Sequence, residues 1–151
     1  MVRGMDVHRL SSRTHLPPPP NLMKPRAPKS FKDLWVWQQG VALAIAVYKL
    51  TEPAAPTDKS GVVIQLRRSA IAVPVSVARG HGIGRPAAFV RALLRAYGAT
   101  QEIETQLQIA CELGIVAPGT ADNVRISNDE IGQTLINMLT SFPLTHGFDV
   151  G

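Results

Sequence analysis

The chain has 151 residues, which is enough for one domain with a real core, and its single cysteine, Cys111, excludes an internal disulfide or a paired-cysteine zinc site. Residues 1–30 hold six basic side chains and one acidic side chain, whereas residues 31–151 hold ten of each, so the net charge of +5 belongs to the amino-terminal segment. No signal peptide is visible and the longest apolar run, 41–48, is too short to cross a membrane, so we expect a cytoplasmic protein without a membrane partner.

The amino-terminal segment, residues 1–30, is predicted to be a disordered, proline-rich basic tail. Pro17 to Pro20 favour a polyproline II conformation, and the segment has no apolar periodicity. A solvated tail and a polyproline recognition motif are the two interpretations. Residues 31–143 are predicted to form the folded domain, and residues 144–151 a carboxyl-terminal tail.

The first helix is predicted from Phe31 or Lys32 to Leu50. Its apolar residues recur at steps of three and four, which predicts a buried face made of Leu34, Trp37, Val41, Ala44, Ile45 and Tyr48. Trp35 lies about 200° around the helix from Trp37, so the two indoles cannot share one pocket. One of them is therefore expected in the core, and Trp35 is a candidate for a subunit contact.

The second helix is predicted to begin near Thr57 or Ser60 and to end by Gly80. Its buried stripe is Val62, Leu66, Ala70, Val73 and Val77. Pro74 inside this pattern costs about 3 kcal/mol, so we expect it only where packing or a kink requires it. The glycine-rich residues 80–84 are interpreted as a flexible turn, or alternatively as an anion site between Arg79 and Arg85.

The third helix is predicted from Pro86 to Leu113, with Gly114 ending it. Its seam is Phe89, Leu93, Ala96, Thr100, Ile103, Leu107 and Ala110. The fourth helix is predicted to start at a capping box, Ser127 to Glu130, and to end before Pro143. Its stripe is Ile131, Leu135, Met138 and Phe142. Since no segment alternates with period two, we predict an all-α, antiparallel up-down four-helix bundle.

Catalytic and metal-binding constellations are not evident in the sequence. The histidines are His8 and His15 in the tail, His81 among glycines and His146 near the carboxyl terminus. None lies on a predicted helix at a spacing that suits metal binding or activation of a serine. We therefore expect no enzymatic activity, no metal ion and no cofactor.

Arginines are the main candidates for function. Residues 59–95 carry seven bases and no acid, whereas residues from 101 onward carry seven acids and one base. The candidates for phosphate contacts are Arg67, Arg68, Arg79, Arg85, Arg91 and Arg95. The alternative is that these arginines pair with the acidic half of helix 3 and with helix 4, within one chain or across subunits. Glu102, Glu104 and Gln106 are the candidates for such helix or subunit pairing, with Arg67 or another arginine.

Three phrases of the sequence together resemble one protein family. The first phrase contains Phe31, Asp33, Leu34, Val36, Trp37 and Gln38; the second Gln65, Leu66, Arg67, Arg68, Ala70, Pro74, Ala78 and Gly80; the third Gly98, Glu102, Glu104, Thr105, Gln106 and Leu107. In this order they resemble the four-helix-bundle proteins encoded in bacterial ribosomal RNA intervening sequences. The resemblance covers residues 31–116 well and the last helix by pattern. The chain departs from the family at Val75-Ser76, Arg79 and Ala99, where the family has Ser-Asn, Glu and Ser.

The resemblance implies partners as well as a fold. It implies a bundle that assembles into a ring-like homo-oligomer, a pentamer. Structurally similar accessory proteins of diversity-generating retroelements bind a reverse transcriptase and nucleic acid through a basic surface. We therefore expect a non-enzymatic, homo-oligomeric protein associated with RNA or DNA. The alternatives are an interaction scaffold, whose charge segregation builds subunit contacts, and a reverse-transcriptase accessory protein.

Overall fold

The computed structural model describes residues 28–142, which fold into four long helices. In chain order the elements are a 3-10 turn at Phe31–Asp33, then α1 (Trp35–Thr51), α2 (Val62–Ile83), α3 (Pro86–Glu112) and α4 (Pro118–Ser141). The described residues contain no strand, and the predicted all-α four-helix bundle is confirmed. Residues 1–27 of the predicted tail, and residues 143–151 with Pro143 and the predicted carboxyl-terminal tail, lie outside the described residues.

The four helices form a square in which each helix packs on the next one along the chain and α1 also packs on α4. Helices α2 and α4 occupy opposite corners, with no Cα atoms of the two within 8 Å of each other. Successive helices run antiparallel, because along each pair the contacts proceed in opposite chain directions: Gly40 with Pro74 and Thr51 with Arg67, Ser69 with Glu102 and Gly80 with Ala92, Thr100 with Asn128 and Glu104 with Arg125. The outer sides of α2 and α4 are therefore at opposite corners of the bundle.

The buried face of α1 differs from the predicted one. The buried residues are Val36, Gly40, Leu43, Val47 and Thr51. Of the predicted face, Leu34, Trp37 and Ala44 are only partly buried, and Ile45 and Tyr48 are exposed. The prediction was wrong because α1 is apolar almost all round, so hydrophobic spacing alone cannot choose between two competing faces. The face with Gly40 is the one that meets α2.

Pro74 lies inside α2, as predicted, and its position has a packing reason. The ring is buried, and a Cβ atom built on Gly40 of α1 would lie 3.2 Å from two of its carbon atoms. The absence of a side chain at Gly40 therefore makes room for the proline ring between the two helices. The predicted stripe of α2 is confirmed except for Val62, which is half-buried.

Helix α2 extends to Ile83, so the prediction of a flexible turn over residues 80–84 was wrong. Only Gly84 adopts a left-handed conformation there, with φ of 73°, whereas Gly80 and Gly82 are helical. Gly80 has a packing role, because a Cβ atom at this position would lie 2.2 Å from the Cβ of Ala92 in α3. The close crossing of α2 and α3 accordingly requires glycine at position 80.

The amino terminus of α2 is capped by side chains that lie two and four residues ahead of the helix. The Asp58 carboxylate accepts hydrogen bonds from the backbone N–H groups of Ser60 (2.9 Å) and Val63 (3.0 Å). The hydroxyl of Ser60 accepts one from the N–H of Val62 (3.1 Å) and donates to Asp58. These bonds satisfy amide groups that have no partner inside the helix and lower the pKa of Asp58, the Ser60 hydroxyl contributing most.

Helix α3 closely follows its prediction, whereas α4 ends before Pro143 as predicted but starts earlier. The predicted seam of α3 is buried, apart from the half-buried Phe89, and Gly114 follows the helix with φ of 70°. Helix α4 begins at Pro118, nine residues before the predicted capping box at Ser127. The prediction was wrong because Pro118 occupies a first helical position as Pro86 does in α3, and the buried stripe starts at Ala121.

The α2–α3 crossing can be tested with two glycine substitutions. Gly80→Ala should lower the free energy of unfolding by about 1–3 kcal/mol, because the new methyl group overpacks against Ala92. Gly98→Ala is the matched control, since Gly98 lies in α3 with no atom near its Cβ position, and it should stabilise by about 0.5–1 kcal/mol. Urea unfolding followed by circular dichroism measures both. A Gly80→Ala protein as stable as the wild type would contradict the crossing.

The cap of α2 predicts a pH-dependent contribution to stability. Because folding lowers the pKa of Asp58, its stabilisation is present above the ordinary aspartate pKa and is lost as the pH falls through the lowered value. Asp58→Asn should therefore lower the melting temperature at neutral pH, and the difference from the wild type should close in strong acid. Glu112→Gln, which removes one exposed carboxylate at the end of α3, is the control. A difference in melting temperature between Asp58→Asn and the wild type that is the same at every pH would refute this role of Asp58.

Candidate nucleic-acid interface

The close crossing of α2 and α3 places arginines on one part of the surface. Arg79 precedes Gly80 and Arg91 precedes Ala92, so these two arginines flank the point of closest approach. Arg95 follows Arg91 by one helical turn, and all three are exposed. Arg85, in the turn between the helices, is also exposed. These four arginines, Arg79, Arg85, Arg91 and Arg95, form what we call the basic surface.

Acidic side chains do not neutralise the basic surface within the described bundle. Between Asp58 and Glu102 the sequence has no acidic residue. Among residues 28–142 the one ion pair joins Arg125 of α4 to Glu104 of α3. Because α2 and α4 are at opposite corners, the α4 carboxylates cannot reach Arg79 in the same chain. Pairing of the α2 arginines with helix 4 is thus restricted to contacts between chains.

Arg67, which was also predicted to contact phosphates, is engaged inside the bundle. Its Nε donates a hydrogen bond to Oγ1 of the buried Thr51 (2.9 Å), and its guanidinium carbon lies 4.4 Å from the centre of the Tyr48 ring. A guanidinium over an aromatic ring is attracted by the ring's quadrupole. Arg67 thereby joins the end of α1 to the start of α2.

Arg68 has a different environment from Arg67. It is exposed and lies one turn from Ile64, in line with Ile71 and Val75 along the outer side of α2. It also lines a groove of about 570 Å³ that Tyr48 and Arg67 share. The six predicted arginines thus divide into the basic surface, the interhelical Arg67 and the outward Arg68.

The predicted pairing residues on α3 lie in two different contacts. Glu102 accepts a hydrogen bond from the Ser69 hydroxyl (2.8 Å) and makes no ion pair with Arg67. Glu104 pairs with Arg125, which also donates to Gln108 (3.2 Å). The buried Oε1 of Gln106 accepts no hydrogen bond from the described residues. The pairing of Glu104 with Arg125 was not predicted, although Arg125 is the one base of the acidic carboxyl-terminal part.

The outer side of α1 and α2 forms an uncovered apolar surface. The apolar face, as we call it, consists of Val41, Ile45, Tyr48, Ile64, Ile71 and Val75. Ile45 is 51% exposed and Ile64 is 52% exposed, and Val41, Ile45, Tyr48 and Ile71 line a groove of about 610 Å³. Three of these residues were assigned to the core by sequence analysis. Trp35, 44% exposed, does not line the groove, and its subunit contact stays a prediction.

Other kinds of site find no support in the described bundle. Residues 28–142 contain no group of three or more histidine, cysteine, aspartate or glutamate side chains placed to hold a metal ion. His81 packs edge-on against Phe89, with ring centres 6.4 Å apart, while the other three histidines lie outside the described residues. No helix over this range is long and apolar enough to span a membrane.

Comparisons with known proteins agree with this bundle. The model of the 23S rRNA-intervening sequence protein family matches residues 32–137, which include most of α4. A crystal structure of a protein of unknown function from the S23 ribosomal protein family of Bacteroides thetaiotaomicron has a TM-score of 0.65 and 17% sequence identity. The alignment covers 70% of this chain and 99% of that chain, and it supports the fold alone. No curated relative matches the sequence.

The two adjacent arginines should differ in their effect on stability. Arg67→Ala should lower the free energy of unfolding by about 1–2 kcal/mol, because it removes the hydrogen bond to buried Thr51 and the contact with Tyr48. Arg68→Ala, the matched control on the exposed side of α2, should change it by less than about 0.5 kcal/mol. Chemical denaturation measures both. Equal effects of the two substitutions would contradict the interhelical role of Arg67.

Proposed function

The chain belongs to the 23S rRNA-intervening sequence protein family, and from that premise we propose that it is a non-enzymatic, homo-oligomeric protein that associates with nucleic acid through exposed arginines of α2 and α3. The observation that carries the proposal is the basic surface itself. Arg79, Arg85, Arg91 and Arg95 are exposed, and none of them pairs with a carboxylate of the described bundle. Exposed arginine side chains without a carboxylate partner suit phosphate groups. Arginine–phosphate contacts give a salt-sensitive affinity that depends little on the nucleotide sequence.

The structure supports a smaller set of contact residues than the sequence did. Arg67 already contacts Thr51 and Tyr48, so its guanidinium is not free for a phosphate. Arg68 is exposed, but it lies among the isoleucines of the apolar face. We therefore assign the phosphate contacts to the basic surface.

The homo-oligomeric part of the proposal has its support in α1. This helix carries one charged side chain, Lys49, in 17 residues, and a helix that is apolar all round is normally buried on every side. The bundle covers only one face of α1 and leaves Val41, Ile45 and Tyr48 on the other. A second protein surface over the apolar face would complete its burial.

An interaction scaffold is the second candidate function, favoured by the same uncovered apolar face. In a scaffold the segregated charges would serve assembly only, and nucleic-acid binding would be negligible. The pentamer and the reverse-transcriptase partner that the family resemblance implies stay predictions.

Salt-dependent binding distinguishes the two functions. The full chain should retain a labelled single-stranded RNA at about 50 mM salt and release it by about 300 mM, as measured by fluorescence anisotropy. Each arginine that contacts a phosphate should contribute about 0.7 to the slope of log affinity against log salt. The triple variant with Arg79, Arg91 and Arg95 replaced by alanine should lose the corresponding part of that slope.

Two control variants locate the binding on the bundle. The segment 1–30 carries a net charge of +5 and could bind phosphate by itself, so its six bases are replaced by glutamine in the full chain. The second control combines Lys32→Ala and Lys59→Ala in one protein, which removes exposed charges far from the α2–α3 crossing in sequence. Binding that survives the arginine triple and disappears with the tail variant would overturn the assignment to the basic surface. No binding at low salt would favour the scaffold.

A further inference from the structure

We propose that the apolar face of one copy receives the outer side of α4 from the next copy, an inference that rests on the homo-oligomeric part of the proposed function. The receiving surface is the groove between α1 and α2, about 610 Å³, whose floor and walls include Val41, Ile45 and Ile71. The docking surface, which we call the acidic face, consists of Asp122, Ile126, Asp129 and Glu130 on α4.

The acidic face combines one apolar side chain with three carboxylates. Ile126 is 58% exposed, tied with Leu113 as the most exposed large hydrophobic side chain of the described bundle. Asp122 and Glu130 lie four residues on either side of it, and Asp129 lies three residues after it, so all are neighbours on the helix surface. None of these carboxylates makes an ion pair with a residue of the described bundle. An exposed isoleucine within an acidic rim suits an apolar groove with a basic rim.

The rim of the groove is basic on balance. Lys49 and Arg67 line it, together with Glu52. Arg68 lines the adjoining groove of about 570 Å³ with Asp58, whose carboxylate is occupied by the cap of α2. Two such faces meeting each other would bring like net charges together. The acidic face has no base in its surface, because Arg125, the one base of α4, is held by Glu104. Charge complementarity therefore favours the acidic face over a second apolar face as the occupant.

Topology makes this a contact between copies. Helix α4 lies at the corner of the square opposite α2, so the acidic face cannot reach the apolar face of its own chain. Each copy therefore presents the groove on one side and the acidic face on another. A contact between two different surfaces is heterologous, and its repetition builds a closed ring or an open chain rather than a symmetric pair.

The basic surface stays outside this contact. Arg79, Arg91 and Arg95 flank the α2–α3 crossing, whereas the groove lies on the α1 side of α2. Assembly through the groove would leave these arginines available to phosphate groups. The inferred interface and the proposed nucleic-acid site can thus be tested separately on the same protein.

The test uses two full-length variants that each disable one of the two surfaces. Ile45→Asp places a carboxylate in the groove, and Ile126→Asp removes the apolar side chain of the acidic face. Both residues are exposed in the single chain, so circular dichroism should show unchanged helix content. By light scattering, the wild type should form an assembly, and each variant alone should have the mass of one chain, 16.3 kDa.

Mixing the two variants gives the decisive result. The intact acidic face of the Ile45→Asp chain should dock in the intact groove of the Ile126→Asp chain, and assembly should stop at a one-to-one pair of twice the single-chain mass. Leu94→Asp, a substitution of an exposed leucine outside both surfaces, is the control and should keep the wild-type mass.

The remaining outcomes separate this inference from the proposed function. If Ile126→Asp assembles like the wild type while Ile45→Asp does not, the groove is an interface but α4 is not its occupant, and only this inference is overturned. The same holds if both variants assemble, or if the mixture stays monomeric. A wild type that is monomeric overturns both this inference and the homo-oligomer, while RNA binding keeps its own test.

Discussion

The close approach of α2 to its two neighbours is the constraint on which the rest of the bundle depends. On one side Pro74 packs into the space that Gly40 leaves in α1, and on the other Gly80 allows the Cβ of Ala92 in α3 to come near the α2 backbone. At both crossings one of the two helices has a glycine at the contact, so the helix axes come closer than larger residues would allow. The proline, which costs a hydrogen bond within α2, is therefore kept at a position where its shape is used.

The distribution of charge follows from the same geometry. Because α2 lies between α1 and α3, its outer side is divided between an apolar stripe next to α1 and arginines next to α3. The carboxylates of α4 are at the opposite corner and cannot neutralise those arginines. A bundle of nearly balanced composition thereby presents one basic region and one acidic region, each available to another molecule.

Sequence periodicity predicted the fold where one apolar stripe was dominant and failed where two competed. The seam of α3, from Leu93 to Ala110, is one row of apolar residues, and its prediction was confirmed. In α1 both Val36-Leu43-Val47 and Val41-Ile45-Tyr48 have helical spacing, and the buried row is the one on the side of Gly40, which packs on Pro74 of α2. Which row of α1 is buried depends on the shape of the partner helix, and the residue pattern of α1 alone carries no information about that shape. The start of α4 was accessible from the sequence, because Pro118 occupies a first helical position as Pro86 does in α3.

Assembly through the apolar face would change the affinity of the basic surface for nucleic acid. A basic surface of four arginines in one chain offers few phosphate contacts, and affinity from so few contacts falls quickly with salt. If copies assembled through other surfaces as we propose, the same arginines would be repeated at fixed spacing, and a single strand that contacted two copies would bind the second at a high effective concentration. The apolar face of α1 and α2 would then contribute to nucleic-acid affinity without touching the nucleic acid, because it determines how many basic surfaces one strand can reach.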